Sequence, residues 1–488
     1  MQGRKDQVQA YFFVVGRLVS ALVRGEPDAP ETPLRRFTAA VFGGVMLGVL
    51  LTVGVAIFGF LVPGGSKAAD DEKTILVEKE TGNRFLNIDG TLRPVLNFAS
   101  ALLIEGSEAK VALVSQKSLA GRPHGLPVGI PGAPDSLPDP ARLTADPWLV
   151  CSPTVTDETG ASRAVVTLQV GGGGTGAGLA DDRALLVSTS QQATFLAVGN
   201  RRLRFATRSA LLALGYGNVQ PTPVASAWVN ALPTGPDLVE PDIPGRGQPG
   251  PVVDGQPTRV GQVFTTTTAT GQDFFLLLAD GLSPASKTDA SLVLGDPKAA
   301  ASYPGQPVQA ISLTAAAVAA APRSAASSVT AGYPPSPPQP VTPGTGAANA
   351  PCVTVAFRPD GEPEVTVAFG AAPGDVRVPA AGAPGADSRE ADKVVVPPGG
   401  GLVVRDLPAP GVGTGTLFLV TDLGVKFPLA SDEVAGTLGY GGVTPVLVPS
   451  TLLAFLPTGP ALDPNATAVA QPAAGAGGLP SPTVEPTR

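Results

Sequence analysis

The apolar positions of this chain follow three different rhythms. Residues 37–62, FTAAVFGGVMLGVLLTVGVAIFGFLV, carry no charge, no amide side chain and no proline. Crossing about 30 Å of hydrocarbon takes roughly 20 apolar residues at about 1.5 Å of rise each, so this run predicts one membrane-spanning helix. Within it, Gly44 and Gly48 form a small-xxx-small pair that would let another helix backbone approach. Upstream, Val8, Phe12, Val15, Leu18, Val19 and Leu22 recur at steps of three and four, the mark of an amphipathic helix over 5–23. Its apolar face fits the inner leaflet or, with few basic residues on the polar side, a protein partner. A Pro-rich break, GEPDAPETP at 25–33, separates the two helices.

Beyond residue 62 the rhythm turns to short runs, and these runs repeat. TFLAVGNRRLRFATRSALLALGYG at 194–217 matches TLFLVTDLGVKFPLASDEVAGTLGYG at 416–441: Thr194 to Phe205 register on Thr416 to Phe427, LGYG on LGYG, and LPTGP at 232–236 on LPTGP at 456–460. A third copy lies at 274–296, aligning Phe275, Asp280 and Leu294-Gly295 on Phe195, Asn200 and Leu214-Gly215. A fourth and weaker copy lies at 84–106. Each copy begins with an apolar run that turns at a polar pair such as Asp89-Gly90 or Asn200-Arg201, which predicts a hairpin. A short helix follows, and after a proline comes another. One unit is thus a small α+β module whose apolar face needs a neighbour.

Two β-branched segments of another kind interrupt the repeats, one from Cys151 through RAVVTLQVGGGG to ALLVSTS, the other from Cys352 through VTVAFRPDGEPEVTVAFG to GLVVRDL. Both begin at a cysteine, and the chain has no others. The outer region therefore reads as a duplication of repeat, strand segment, repeat. A pseudo-twofold axis between the halves would bring Cys151 and Cys352 together, which predicts a disulfide.

The expected fold class is α+β: a single N-terminal transmembrane helix, then an elongated ectodomain of four α+β repeats around a central β domain with pseudo-twofold duplication. The expected division is a cytoplasmic amphipathic helix and linker (1–36), the membrane helix (37–62) and repeat 1 (75–138). The first half of the central β domain (146–192), repeat 2 (194–240), a linker (241–262) and repeat 3 (263–325) come next. A Pro-rich linker (331–351), the second central half (352–414), repeat 4 (416–462) and a disordered tail (463–488) complete the chain.

Charge supplies an orientation. Residues 1–36 hold six Lys or Arg against four Asp or Glu, net +2, which leaves 27 against 36, net −9, for the rest. Arg35 and Arg36 abut the apolar run, whereas Lys67 and Lys73 lie among Asp70, Asp71 and Glu72 beyond it. The positive-inside bias predicts a single-pass protein of the cytoplasmic membrane, N-terminus in the cytoplasm and bulk outside, where a disulfide persists. A cleaved signal peptide at Ser66-Lys67-Ala68 is the rival reading, but the apolar run exceeds an h-region and 36 residues precede it. An acidic exterior argues against nucleic acid.

Candidate chemistry is sparse. His124 is the sole histidine, in a GRPHGLP loop, so no His-based metal site is expected and a Ser-His-Asp arrangement would depend on this one ring. GGGGTGAG at 171–178 contains GxGxxG, yet ADDRALLVSTS follows it as a strand, where a phosphate site needs a helix N-terminus. A hairpin loop is the expected reading. No catalytic residue, cofactor or metal is assigned.

The N-terminal KDQVQAYFFVVGRLVSALVRGEPDAPETPLRR, the apolar helix directly after it, IPGAPDSLP at 130–138, Trp148-Leu149-Val150-Cys151 and the LPTGP elements, taken in that order, resemble the EccB family. EccB is a core membrane component of the actinobacterial type VII, or ESX, secretion machinery. The resemblance implies an ectodomain of four repeats around a central strand domain whose halves a disulfide joins. It implies self-association and assembly with the EccC motor ATPase, EccD, EccE and the mycosin protease. Members have been assigned ATPase activity, and the repeats look like cell-wall-binding modules. This chain has no Walker motif and no aromatic sugar platform beyond scattered Trp148, Trp228 and Tyr residues. The expected function is a structural and assembly subunit, with an extracytoplasmic ATPase or a peptidoglycan-binding anchor as alternatives.

Overall fold

A computed structural model describes residues 3–467 except 26–32, 62–66, 72, 145–146, 157–158, 173, 175, 177, 270, 345–346, 360–361, 375–387 and 410–414. The chain opens with two helices, α1 (Arg4–Arg24) and α2 (Pro33–Leu61). Gly25, in the left-handed region at φ 71°, closes α1 by donating to Ala21. Pro33 begins α2, where its missing N–H costs nothing. Phe37–Ile57 within α2 is long and apolar enough to cross a membrane, and none of the other described residues covers it.

Each repeat folds as three strands, a helix, a strand and a helix. Repeat 1 comprises β1 (Thr74–Glu78), β2 (Arg84–Ile88), β3 (Thr91–Pro94), α3 (Phe98–Glu105), β4 (Lys110–Val114) and α4 (Gln116–Leu119). After it come four short strands, β5 (Trp148–Cys151), β6 (Thr154–Thr156), β7 (Ser162–Ala164) and β8 (Thr167–Gln169). Repeat 2 holds β9 (Arg183–Ser188), β10 (Thr194–Val198), β11 (Arg201–Arg204), α5 (Arg208–Ala213), β12 (Thr222–Pro223) and α6 (Ser226–Asn230). Repeat 3 holds β13 (Val263–Thr268), β14 (Gly271–Leu278), β15 (Gly281–Ala285), α7 (Lys287–Gly295), β16 (Ile311–Ser312) and α8 (Ala315–Ala320). Next are β17 (Gln339–Val341), β18 (Ala350–Phe357), β19 (Pro363–Gly370) and β20 (Lys393–Val395). Repeat 4 holds β21 (Leu402–Leu407), β22 (Leu417–Val420), β23 (Lys426–Pro428), α9 (Asp432–Thr437), β24 (Val446–Pro449) and α10 (Ser450–Leu453), and α11 (Pro464–Thr467) follows.

The four repeat sheets share one strand order: β3-β2-β1-β4, β11-β10-β9-β12, β15-β14-β13-β16 and β23-β22-β21-β24. In each, the first three strands run antiparallel and the last returns parallel to the first. Local chemistry sets these elements. Asn97, Thr207 and Ser286 cap the first helix of repeats 1 to 3, each side chain accepting the N–H three residues on. Asp89-Gly90 and Gly199-Asn200 supply the two successive positive φ angles of a tight hairpin.

The central sheet runs β19-β18-β5-β8-β20. Its core merges with repeats 2 and 4: Trp148, Val353 and Leu168 pack in one cluster with Trp228 and Leu185 of repeat 2 and Phe455 and Val404 of repeat 4. Repeat 1 shares a second core with repeat 4, and α7 of repeat 3 packs on α5 of repeat 2. That helix contact is close, since a Cβ at Gly295 would stand 2.2 Å from the Ala213 Cβ. Repeats 1 and 3 thus lie at the two ends.

Sheet membership departs from the expected division. The runs at 183–188 and 402–407, read with the central halves, are the first strands of repeats 2 and 4. The hairpin registration also shifts. Phe195 and Phe418 hold equivalent places, each paired with a valine (Val187, Val404) that pairs in turn with Thr222 or Val446. The ungapped match of Thr194 to Phe205 on Thr416 to Phe427 is thus off by one residue on the first of these strands and by two on the next, where Arg202 answers to Lys426, because the loop of repeat 4, which contains Gly424 at φ 73°, holds one residue more. Residues 241–262 are built into repeat 3: Ile243, Val253 and Val260 are buried, and Arg246 pairs with Asp296 at 2.9 Å away from solvent. The Pro-rich 331–351 stretch contributes β17, which pairs along β9. The expected tail begins as α11, packed on α3, and its remainder from 468 lies outside the described residues. Of the Pro-rich break at 25–33, residues 26–32 do so too.

Candidate functional site

Cys151 ends β5, Cys352 lies in β18, and the two are directly opposite one another at the middle of the central sheet. Ser152 donates to the Pro351 carbonyl at 2.9 Å, so the cysteines occupy the next, non-hydrogen-bonded position, where opposed strands approach closest. Their Cα atoms are 4.0 Å apart, the sulfurs are bonded, and neither residue is exposed. One strand enters from repeat 1 and the other from repeat 3. The bond therefore joins the two halves of the chain.

A second pair of contacts crosses the halves in the opposite sense. Tyr216, in the LGYG of repeat 2, donates its hydroxyl to the Pro338 carbonyl, which lies on the chain leaving repeat 3. Tyr440, in the LGYG of repeat 4, donates to the Pro138 carbonyl, on the chain leaving repeat 1. Both bonds are 2.7 Å and buried, and burial pushes both phenols up from their ordinary value. The identical LGYG motifs were visible in the sequence, but nothing there named their acceptors.

Repeats 2 and 4 also hold a cation at the same place, half-buried Arg202 and buried Lys426. Arg202 gives one Nη to the Val229 carbonyl and Asn230 Oδ1, and its other guanidinium nitrogens to Thr234 Oγ1. Lys426 sends Nζ to the Leu453 and Leu456 carbonyls, and burial lowers its pKa. Each cation satisfies carbonyls at the end of the second helix of its repeat. Arg202 borders a cleft of about 320 Å³ between these repeats, lined also by Leu232, Pro233, Leu407, Pro408 and Leu452. Its guanidinium is already spent within the protein, so this wall offers a phosphate no open fork. Elsewhere in the centre, Asp392 accepts from Arg163 and from the Val166 N–H, and burial raises its pKa.

The remaining candidates separate from one another. His124 lies in the segment that closes repeat 1, bridged to Leu92, with Nδ1 2.9 Å from the Arg122 carbonyl and its ring edge-on to Phe85. The residues described in 171–178 form bends rather than a helix start, and Gln169 donates to the Gly171 and Gly172 carbonyls. Among the described residues, no group of three His, Cys, Asp or Glu is placed to hold a metal ion. Gly44 and Gly48 share one face of α2, and a Cβ built at either meets nothing within 4 Å. On α1, Phe12, Leu18 and Leu22 are more than half exposed. Both helices present apolar surface that the described residues leave uncovered.

The family described as "Type VII secretion system ESX-1, transport TM domain B" matches residues 2–475. The chain belongs to the EccB family. It is 28% identical to the "ESX-1 secretion system ATPase EccB1" of Mycolicibacterium smegmatis strain MKD8, over 95% of this chain and 94% of that protein. It is 31% identical to the "ESX-3 secretion system ATPase EccB3" of M. smegmatis strain mc(2)155, over 96% and 91%. Among solved structures, a chain of an intact ESX-5 inner membrane complex superposes with a TM-score of 0.65 at 26% identity, covering 99% of this EccB chain and 98% of the other. The EccB3 dimer from the ESX-3 core complex gives 0.63 at 26%, covering 81% and 100%. EccB is thus a component of the ESX inner membrane complex, and EccB chains form dimers.

Proposed function

We propose that this EccB chain is a structural and assembly subunit of a type VII secretion membrane complex, coupling a membrane helix to a rigid outer body. One observation carries the reading. The ectodomain is locked by a central disulfide and two reciprocal tyrosine contacts, while the α2 helix that tethers it is bare along its apolar length. A locked body on an unpartnered helix suits holding other subunits in position. Arg35 and Arg36 beside the span place the N-terminus on the cytoplasmic side in this reading. There the exposed face of α1 meets the EccC motor, EccD and EccE, while the ectodomain stands outside with the mycosin protease and within reach of peptidoglycan.

Both of the relatives described above are named as ATPases, as are the EccB5 and EccB2 relatives, which makes hydrolysis the alternative. The assay is ATP hydrolysis by the full chain in detergent, followed through successive purification steps. The structural reading expects specific activity to fall toward background. Constant specific activity that a single ectodomain substitution abolishes would overturn it.

A further inference from the structure

The last strand of a repeat is its open edge, and three of the four repeats cover or cut short that edge. β12 is two residues ending at Pro223, and β17 fills the rest of β9 beside it. β16 is two residues long, followed by α8, which packs back on β13. β24 ends at Pro449 and lies against β18 of the central sheet. These are ordinary ways of blocking strand addition. Repeat 1 departs from them. Its β4, KVALV, pairs with β1 over all five residues and contains no proline.

The outward groups of β4 follow from its ladder. Lys110 donates to the Lys73 carbonyl, and the Val114 carbonyl accepts from Lys79. In a parallel pair, alternate residues bond one neighbour, so 110, 112 and 114 face β1 while the N–H and C=O of Val111 and Leu113 face away. These two residues are 56% and 62% exposed, and their side chains lie on the same face as Ile75 and Val77. Among the described residues, no hydrogen bond reaches their outward groups. An open backbone edge and an exposed apolar stripe thus coincide on two residues.

We infer that β4 is a self-pairing edge at which repeat 1 of a second copy of this chain adds its own β4 antiparallel, centred on Ala112. The strand is its own complement. Val111 would face Leu113 of the second copy as a hydrogen-bonded pair, and Leu113 would face Val111, giving four backbone bonds and one continuous sheet. The four apolar side chains would then meet on one face, and Lys110 would oppose Val114 rather than another lysine. Position favours a second copy. Residues 67–70, just beyond the α2 helix, pack on β1 and β4, so two chains held in one membrane present this edge at the same height. The dimer of the related EccB3 shows that such chains pair. This inference rests on the assembly reading and names one of its surfaces.

Ala112→Cys in the full chain, oxidised mildly in membranes, is the test. Two copies of position 112 would occupy a non-hydrogen-bonded pair, the kind of site Cys151 and Cys352 hold, and the native cysteines are buried and bonded to each other. The expected result is a reducible band at twice the chain mass that disappears when Leu113→Lys is added. Leu423→Cys, at an exposed hairpin tip, is the control and should give no such band. Crosslinking of Ala112→Cys no greater than this control would overturn β4 pairing. If the chain still co-purifies with its membrane partners in that case, the assembly reading stands and only this surface is lost.

Discussion

Tyr440 donates its hydroxyl to the carbonyl of Pro138, 302 residues earlier in the chain, and so ties the last repeat to the segment that leaves the first. Tyr216 and Pro338 repeat the arrangement between repeats 2 and 3. Removing either hydroxyl leaves a buried carbonyl without its donor, which costs about 1–3 kcal/mol. Tyr440→Phe and Tyr216→Phe should each lower the urea midpoint by an amount of that order. The sites share no partner, so the double variant should show nearly the sum. A neutral effect at either site would deny the contact its role.

The same phenols set an alkaline limit. Burial raises both above the ordinary phenol value of about 10, so the folded protein keeps a proton that the unfolded chain releases. Stability from this source is level below about pH 10 and declines as pH rises beyond it. The slope is at most about 1.4 kcal/mol per pH unit for each tyrosine. Urea unfolding at about pH 9 and about pH 11 should show a loss that the double Tyr→Phe variant largely lacks.

The Cys151–Cys352 bond closes a loop between residues 201 positions apart. Chain entropy alone assigns such a closure about 5 kcal/mol, and because both residues are fully buried, reductant should reach the sulfurs only after unfolding. Alkylation under reducing conditions, read by mass spectrometry, should label neither cysteine in the native chain and both in denaturant. Cys151→Ala with Cys352→Ala should lower the unfolding midpoint strongly.

Gly44→Leu and Gly48→Leu test the membrane helix. Among the described residues, nothing beyond the helix's own backbone lies within 4 Å of a Cβ at either position, so the ectodomain should keep its circular dichroism and melting point. Recovery of partner subunits should fall, because the added bulk blocks close helix approach. Unchanged recovery would reduce the helix to an anchor.

Much of this architecture was legible from residue patterns. The apolar run at 37–62, the periodicity of Val8, Phe12 and Leu22, and the doubled LGYG and LPTGP motifs all reflect local rules, so α2, α1 and the repeats could be read directly. What escaped depends on non-local pairing. The run RALLVS looks like a neighbour of the preceding strands until β12 and β17 are seen on its edge. The registration of Phe195 on Phe418 and of Arg202 on Lys426 shows only in the strand pairing, which a gapless match hides. The acceptors of Tyr216 and Tyr440 are proline carbonyls in Pro-rich stretches with no periodic signal. The candidate site was legible at its cysteines and silent about the contacts that lock it.

The most direct measurement is an affinity pull-down of the tagged full chain from detergent-solubilised membranes of its own host, with native mass and composition determined together. The account predicts recovery in a large assembly containing a membrane ATPase and more than one copy of this chain. Recovery of a monomer without any membrane ATPase would contradict it.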